Sequence, residues 1–198
     1  MIRAFANRPD SEHGQALVRL VIAAVLLAYL AGLATGDGAG RELRLSVLVL
    51  LAETLLGLSI VIAIVLRPGV SHVRRVVGML GDYGTLAAMM MLKGEVLAPL
   101  YVIILWVTVG NGLRYGSRYL FAAIGLAVVT FLAVILNTPY WQENPYIAWG
   151  LLVGLVAIPA YLITLLRDLR RAAGEARGPT AAQSRNRARM NHDLLKTR

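Results

Sequence analysis

The 198-residue chain contains no cysteine and only three histidines, His13, His72 and His192. Without thiols there is no disulfide, no thiolate nucleophile and no cysteine-ligated metal. The three histidines are too widely spaced for one metal-binding motif. The sequence also lacks a Walker loop, a Gly-x-Ser-x-Gly turn and a His-Glu-x-x-His helix. We therefore expect a protein that is not an enzyme and that carries neither a cofactor nor a metal.

Charged residues are scarce as well, at 16% of the chain, whereas hydrophobic residues make up 58%. Soluble domains are nearer to about a quarter charged and about half apolar. A helix needs about 20 apolar residues to cross a bilayer. Six stretches meet or approach this length: Leu17–Ala34, Ser46–Leu66, Val76–Leu92, Leu97–Leu113, Leu120–Leu136 and Ile147–Leu166. The sequence predicts an all-α, polytopic transmembrane helix bundle with six spans.

The basic residues are distributed unevenly between the connections. Successive connections lie on alternate sides of the membrane. The connections on one side contain only Arg41, Arg44 and Lys93, whereas the N-terminal arm, the connections on the other side and the tail contain the other seventeen Lys and Arg residues. The positive-inside rule then places both chain ends in the cytoplasm. The expected regions are a cytoplasmic arm at 1–16, the bundle at 17–166 and a basic cytoplasmic tail at 167–198. Because the basic residues flank apolar segments, the lipid bilayer is the expected partner and nucleic acid is not.

The first apolar stretch allows a second interpretation. Basic residues, an apolar run and small residues near Gly32–Ala34 also fit a secretory signal peptide. We favour an uncleaved first helix. Cleavage would leave five spans and place the new N-terminus outside.

Four aromatic residues crowd the fifth connection, namely Tyr140, Trp141, Tyr146 and Trp149. Tyr and Trp are enriched where a membrane meets water. The sequence therefore predicts an interfacial aromatic belt at this connection.

Charged residues within a span are costly and are candidates for function. Counted along the predicted spans, Glu53 lies about 10 Å from the outer edge and Asp82 about 9 Å from the inner edge. The two carboxylates are then about 11 Å apart in depth and do not share a proton. Arg19 is level with Asp82, and it either pairs with that carboxylate or snorkels to the headgroups. Glu53 is either a polar packing contact, to Thr54, Ser59 or another helix, or a ligand or proton site.

Glycines mark two further features. Gly78, Gly81 and Gly84 recur at every third residue of the third span and predict a closely packed helix face. Asn111 lies between two glycines, with Arg114 close behind it, near the inner end of the fourth span. Asn111 is expected either to bond across helices or to end its helix before a tight turn.

Several runs of this sequence resemble one family of bacterial membrane sensors. They are Asp-Ser-Glu-His at 10–13, Leu-Arg-Pro-Gly-Val-Ser-His-Val-Arg-Arg at 66–75, Gly-Met-Leu-Gly-Asp-Tyr at 78–83, Trp-Val-Thr-Val-Gly-Asn-Gly-Leu-Arg-Tyr-Gly at 106–116, and Pro-Tyr-Trp and Asn-Pro-Tyr at 139–146. Together they resemble the membrane input domain of RpfC-type hybrid sensor histidine kinases, over about residues 10 to 177. The resemblance implies an inner-membrane protein that detects diffusible signal factor, a cis-2-unsaturated fatty acid. It also implies ligand contacts at Asp10, Ser11 and Glu12.

The C-terminal end resembles a degenerate phosphoacceptor helix. Met190–Arg198 places His192 at the phosphoacceptor position and Asp193 where that family has Glu, but the following Arg and Thr-Pro are missing. The resemblance therefore extends to kinase-less membrane proteins of the RpfH type. Gly174 and the Gly178–Pro179 pair are expected to interrupt any rigid helix that leaves the membrane.

Three functions follow as hypotheses. The first is a sensor or accessory subunit in which a fatty-acid carboxylate meets Arg19 or an interfacial Arg, and which acts on a sensor kinase or on a second copy of itself. The second is a small transporter or proton-coupled carrier that uses Glu53 and Asp82. The third is phosphate transfer to His192 from a partner kinase. The RpfC-type input region is usually described with five spans and an outward N-terminus, which conflicts with the charge distribution here.

Overall fold

The apolar runs form helices, because a backbone in lipid must satisfy its own N–H and C=O groups. The computed structural model describes residues 12–37, 40–67 and 69–196, and every element within these ranges is helical. In chain order they are α1 (Glu12–Asp37), α2 (Arg41–Leu66), α3 (His72–Lys93), a 3₁₀ segment (Gly94–Leu100), α4 (Tyr101–Tyr115), α5 (Ser117–Asn137), α6 (Pro139–Glu143) and α7 (Pro145–Lys196). The predicted all-α class is confirmed.

Five helical stretches of the described chain are long and apolar enough to cross a membrane. Four contain one crossing helix each. The fifth runs for 44 residues, from His72 to Tyr115. As one straight helix it would be about 66 Å long, roughly twice the ~30 Å thickness of the hydrocarbon core. If this stretch crossed the membrane a single time, most of it would therefore lie outside the membrane.

The chain instead reverses direction inside this stretch, at Gly94. Its φ of +47° lies in the left-handed region that favours glycine. The 3₁₀ segment completes the reversal, and α4 returns beside α3. The Tyr83 hydroxyl lies 2.7 Å from Thr108 Oγ1 across this hairpin. The described chain therefore makes six passages along the bundle, of which the third and fourth lie within the single 44-residue stretch.

Buried side chains on α1 and α2 are spaced three and four residues apart. They are Ala16, Arg19, Ala23, Leu26 and Leu30 on α1, and Leu43, Ser46, Leu50, Glu53, Gly57, Ile60 and Ile64 on α2. This spacing makes one stripe along each helix, directed at the core. Large apolar residues such as Leu55 and Ile62 are exposed on the other faces. Each core stripe nevertheless contains one charged residue.

The aromatic belt predicted at the fifth connection is partly wrong. Tyr146 and Trp149 are exposed, as a lipid interface requires. Trp141, however, is only 2% exposed. It lies on the short helix α6 and packs edge-on against Phe131, with ring centroids 5.2 Å apart. Because α6 folds back over the end of α5, Trp141 becomes a core residue.

Residues up to Val156 form one compact unit, and residues from Ala157 onward form a second. In the first unit, Ala148 and Leu155 of α7 are fully buried. The helix assignment of α7 is continuous to Lys196, so the interruption expected at Gly174 and Gly178–Pro179 is wrong. A proline removes only its own N–H donor and strains the preceding turn, and the helix can continue on both sides.

Candidate functional site

Arg19 on α1 binds Asp82 on α3 through two hydrogen bonds. Arg19 Nε lies 2.6 Å from Asp82 Oδ1, and Arg19 Nη2 lies 2.7 Å from Asp82 Oδ2. The side chains are 7% and 11% exposed. Bidentate pairs between a guanidinium and a carboxylate are among the strongest hydrogen-bonded arrangements in proteins. Of the two possibilities left open for Arg19, the structure shows pairing and not snorkelling.

Glu53 on α2 brings a second carboxylate to the same guanidinium. Its Oε1 lies 3.2 Å from Arg19 Nε, and its Oε2 accepts a hydrogen bond of 3.3 Å from Thr85 Oγ1. The side chain is 7% exposed. We call Arg19, Glu53 and Asp82 the ion cluster. It ties three helices together inside the bundle.

The partners suggested for Glu53 on its own helix are not used. Thr54 donates its hydroxyl hydrogen bond to the Leu50 carbonyl, and Ser59 donates to the Leu56 carbonyl. Both hydroxyls therefore bond to their own helix backbone, as Ser and Thr commonly do in helices. The expectation that Glu53 bonds to another helix is confirmed.

Two glycines of α3 leave room for the ion cluster. A Cβ atom added at Gly78 would lie 2.7 Å from Arg19 Nη2. One added at Gly81 would lie 2.8 Å from Glu53 Oε2 and would also collide with Leu56. Gly84, in contrast, has no atom within 4 Å of such a Cβ among the described residues. The predicted close-packed face is therefore confirmed at Gly78 and Gly81 and wrong at Gly84.

The predicted difference in depth between Glu53 and Asp82 is wrong. It counted Asp82 from Val76, but α3 begins four residues earlier, at His72, which places Asp82 deeper in the bundle. From the end of the bundle where α2 meets α3, Glu53 stands about 20 Å deep and Asp82 about 15 Å deep, at 1.5 Å per residue. The remaining difference is small enough for one guanidinium to contact both carboxylates.

A layer of neutral polar groups lies beside the ion cluster, toward the turn between α4 and α5. Gln15 Nε2 donates a 3.1 Å hydrogen bond to Asn111 Oδ1, and the Tyr115 hydroxyl bonds to Gln15 Oε1. Asn111 is fully buried and also donates to the Val107 carbonyl at 2.8 Å. Of the two alternatives for Asn111, the bond across helices is confirmed, whereas α4 continues past Asn111 to Tyr115 and ends at Gly116, whose φ is +91°.

Two small cavities adjoin the ion cluster. The first, of about 30 Å³, is lined by Glu53 and Thr85 and by apolar residues of α1, α3 and α4. The second, of about 40 Å³, is lined by Gln15, Trp106, Gly110 and Arg114. Both cavities are also lined by Arg19, Ile22, Asp82 and Val107. We call the end of the bundle that holds the second cavity the Arg114 end, and the opposite end the Gly94 end.

The predicted site residues fall into two neighbouring groups. Arg19, Glu53 and Asp82 form the ion cluster, whereas Asn111 and Arg114 lie at the Arg114 end. Glu12 is the first residue of α1, at that same end. Asp10 and Ser11 lie outside the described residues.

The prediction missed Gln15, Thr85 and Tyr115. Their signal would have been their spacing, since Gln15 is one helical turn from Arg19 and Thr85 is three residues from Asp82.

Within the described ranges, no group of three or more His, Asp or Glu side chains is arranged to hold a metal ion. The ion cluster contains two carboxylates, and its third member is a cation. The contacts of the cluster pair these charges across three helices, so they also join α1, α2 and α3.

The chain is similar to the sensory/regulatory protein RpfC of Xanthomonas campestris pv. campestris. The identity is 47% over 192 residues in each of two strains, ATCC 33913 and 8004, and the match covers 97% of this chain. The chain spans about a quarter of the length of RpfC, 26%, within the N-terminal region of that protein. No family model matches the chain. No solved structure matches it either.

Together the helices and this similarity describe an RpfC-like, multi-pass protein of the bacterial inner membrane. The region matched in RpfC is the sensory region and not the kinase part. The resemblance drawn from short runs of sequence is confirmed over nearly the whole chain.

Proposed function

We propose that this chain is a non-catalytic membrane input module that detects a cis-2-unsaturated fatty acid and passes the signal to a partner. The observation that carries the proposal is the 47% identity to a sensory/regulatory protein over 97% of the chain. A sensor of this kind needs no catalytic residues of its own. It needs a place for the ligand and a way for the ligand to change helix packing.

The second cavity supports a binding place at the Arg114 end. Arg19 already contacts two carboxylates, so a third carboxylate would have to displace one of them. Arg114 is exposed and lines the cavity at the bundle surface, where a fatty-acid headgroup would arrive. Val18 and Trp106 line the same cavity and offer apolar surface to the chain. Asp10, Ser11 and Glu12 precede Gln15 closely in sequence and are the proposed further contacts.

The same cavity lies between α1 and α4, which the Gln15–Asn111 hydrogen bond joins. A ligand with higher affinity for the protein when this bond is rearranged favours the rearranged packing of the two helices. The difference between its affinities for the two packings sets how far the equilibrium shifts. The affected core includes Ala148 and Leu155 of α7. We propose that α7 reports the change to its partner, a sensor kinase or a second copy of this chain, through the basic tail. His192 lies on this helix, and phosphate transfer to it from a partner kinase is a separate hypothesis.

A second apolar site provides a matched control. A groove of about 470 Å³ at the Gly94 end is lined by Leu27, Leu30, Leu43 and Leu48, with Arg44 among its lining residues. It offers an acyl chain apolar surface and a nearby cation, but at the opposite end of the bundle. Variants of Arg44 therefore separate specific binding at the Arg114 end from general lipid binding.

The test is binding of cis-2-unsaturated fatty acid to the purified protein in nanodiscs. We expect saturable binding that a saturated acid of equal length does not match. Arg114→Ala should weaken it about tenfold or more, the scale of losing one charge-assisted hydrogen bond, whereas Arg44→Ala should not. Absence of saturable binding, or equal binding of the saturated acid, would contradict fatty-acid sensing. Loss of binding in Arg44→Ala but not in Arg114→Ala would instead indicate a site at the Gly94 end.

One observation favours a second candidate, a proton-coupled carrier. Glu53 is a carboxylate buried within the bundle, and such residues mark proton relays in transporters. Substrate flux into proteoliposomes that disappears with Glu53→Gln would favour the carrier. Fatty-acid binding without flux would favour the sensor.

A further inference from the structure

We propose that the ion cluster binds one additional positive charge, a proton or a small monovalent cation, beside Glu53 Oε1, and that this charge enters from the Arg114 end. The proposal rests on the geometry of the cluster and does not depend on fatty-acid sensing. It would hold equally if the chain recognised another ligand.

The charges of the ion cluster do not balance. Arg19 is the one cation of the cluster, and it faces two carboxylates, Glu53 from α2 and Asp82 from α3. Thr85 of α3 adds a neutral hydroxyl, whereas α4 presents the apolar Ile103 and Val107 to the same cavity. With all three groups ionised the cluster carries a net charge of −1. An unbalanced charge at this depth is costly, and one added positive charge removes it.

Glu53 also has an unsatisfied carboxylate oxygen. Among the described residues, Glu53 Oε1 is buried without a hydrogen-bond partner. Arg19 Nε is 3.2 Å away, but its hydrogen bond goes to Asp82 Oδ1 at 2.6 Å. The other oxygen, Oε2, has Thr85 as its donor. Native proteins rarely leave a buried polar atom unpaired unless a ligand or water completes it.

Two adjoining cavities lead from the Arg114 end to Glu53. The cavity beside Glu53 measures about 30 Å³, and a water molecule needs only about 10–15 Å³. Through Arg19 and Asp82 it adjoins the second cavity, of about 40 Å³, which reaches Gln15 and the exposed Arg114. Water in these cavities could deliver the charge to Oε1. A delivered proton would leave hydronium as water and form one O–H bond on Oε1, with no other bond in the protein broken.

A proton and a metal cation are distinguished by what each leaves on Glu53. A proton converts the carboxylate into a carboxylic acid, whose C=O stretch is separate from carboxylate bands in the infrared. An alkali cation leaves the carboxylate ionised and instead makes stability depend on the cation present, because binding to the folded state stabilises it.

The experiment is infrared spectroscopy of the full chain in nanodiscs, titrated with acid and base in choline, sodium and potassium buffers. Carbon-13 labelling of glutamate carboxyls assigns the band in the wild-type protein, so the test does not require every variant to fold. We expect a glutamic-acid band that titrates with pH and is absent in Glu53→Gln but present in Glu95→Gln, which removes an exposed carboxyl. A cation instead predicts no such band and a melting temperature that rises with sodium or potassium in the wild type but not in Glu53→Gln. Neither band nor cation dependence would overturn the proposal.

Discussion

Arg19 and Asp82 are 63 residues apart in the chain, yet their side chains meet in a bidentate pair inside the bundle. The pair connects the first passage to the third, and Glu53 extends it to the second. Unpaired, each charge would be expensive at this depth. The packing of α1, α2 and α3 is thereby tied to the charge state of three side chains.

Removing one partner of the central pair should be strongly destabilising. Asp82→Ala removes the two charge-assisted hydrogen bonds of Arg19 but leaves Glu53 as its counter-ion, so we expect a loss of about 1.5–3 kcal/mol in the free energy of unfolding, the range for a hydrogen bond to a charged group. Reversible denaturation in detergent or bicelles measures it. The matched control is Glu42→Gln, which breaks an ion pair of 3.6 Å to Lys93 in which Glu42 is 65% exposed. That change should cost no more than about 1 kcal/mol. Equal effects of the two substitutions would show that the central pair has no special role.

Gly81 and Gly84 should respond oppositely to alanine. Gly81→Ala places a methyl group against Glu53 and Leu56, and we expect a net loss of about 1–3 kcal/mol in stability from overpacking. Gly84→Ala meets no described atom within 4 Å and should be neutral or stabilising by up to about 1 kcal/mol, because alanine favours the helix. Thermal unfolding of both variants under one condition decides this. A loss at Gly84 as large as at Gly81 would contradict the packing described for α3.

The α3–α4 hairpin should depend measurably on one buried hydroxyl. Thr108 donates its own proton to the Ile104 carbonyl at 2.7 Å, so Tyr83 is the donor in their 2.7 Å bond. Tyr83→Phe should lower the free energy of unfolding by about 0.5–1.5 kcal/mol. Tyr146→Phe is the control, since Tyr146 is 92% exposed, and it should have no effect. An unchanged stability in Tyr83→Phe would argue against this contact between the two helices.

Ordinary sequence signals predicted most of the fold. Apolar runs of sufficient length predicted the helices, whereas the even number of spans expected from the basic residues stays a prediction. Gly94, between Lys93 and Glu95, was part of a polar interruption that separated the third and fourth spans. The structure shows that its positive φ makes the reversal. The helix boundaries were less accurate, because helices extend beyond the apolar residues into the headgroup region and composition does not mark where they end.

The ion cluster was predicted only in part, and the reason is geometric. Depth in a span was counted from the first apolar residue, so the late starting point chosen for α3 made Asp82 too shallow and separated it from Glu53. The better signal was the helical stripe. Glu53 falls between Leu50 and Gly57 at spacings of three and four, and Arg19 falls likewise between Ala16 and Ala23. That pattern predicts which face is buried, whereas only the packed structure shows which helices meet there.

The ion cluster also bears on whether the first apolar stretch is a cleaved signal peptide. Cleavage near Gly32–Ala34 would remove Arg19 and leave Glu53 and Asp82 without their cation. The cluster therefore favours an α1 that is retained in the mature protein. Mass spectrometry of protein purified from the membrane should find peptides from α1, and a mature N-terminus beyond residue 34 would contradict this.

We expect the bundle to cross the membrane six times, with its Arg114 end and the start of α1 facing the cytoplasm. The most direct measurement is topology mapping with a reporter fused at residue 8 and with single cysteines, which are unique labels because the chain has none of its own. We expect the reporter at residue 8 to be cytoplasmic. An impermeant thiol reagent added outside should label Glu95→Cys in intact cells, but Ser117→Cys only after permeabilisation. A periplasmic reporter at residue 8, or labelling of both cysteines from the same side, would contradict the account.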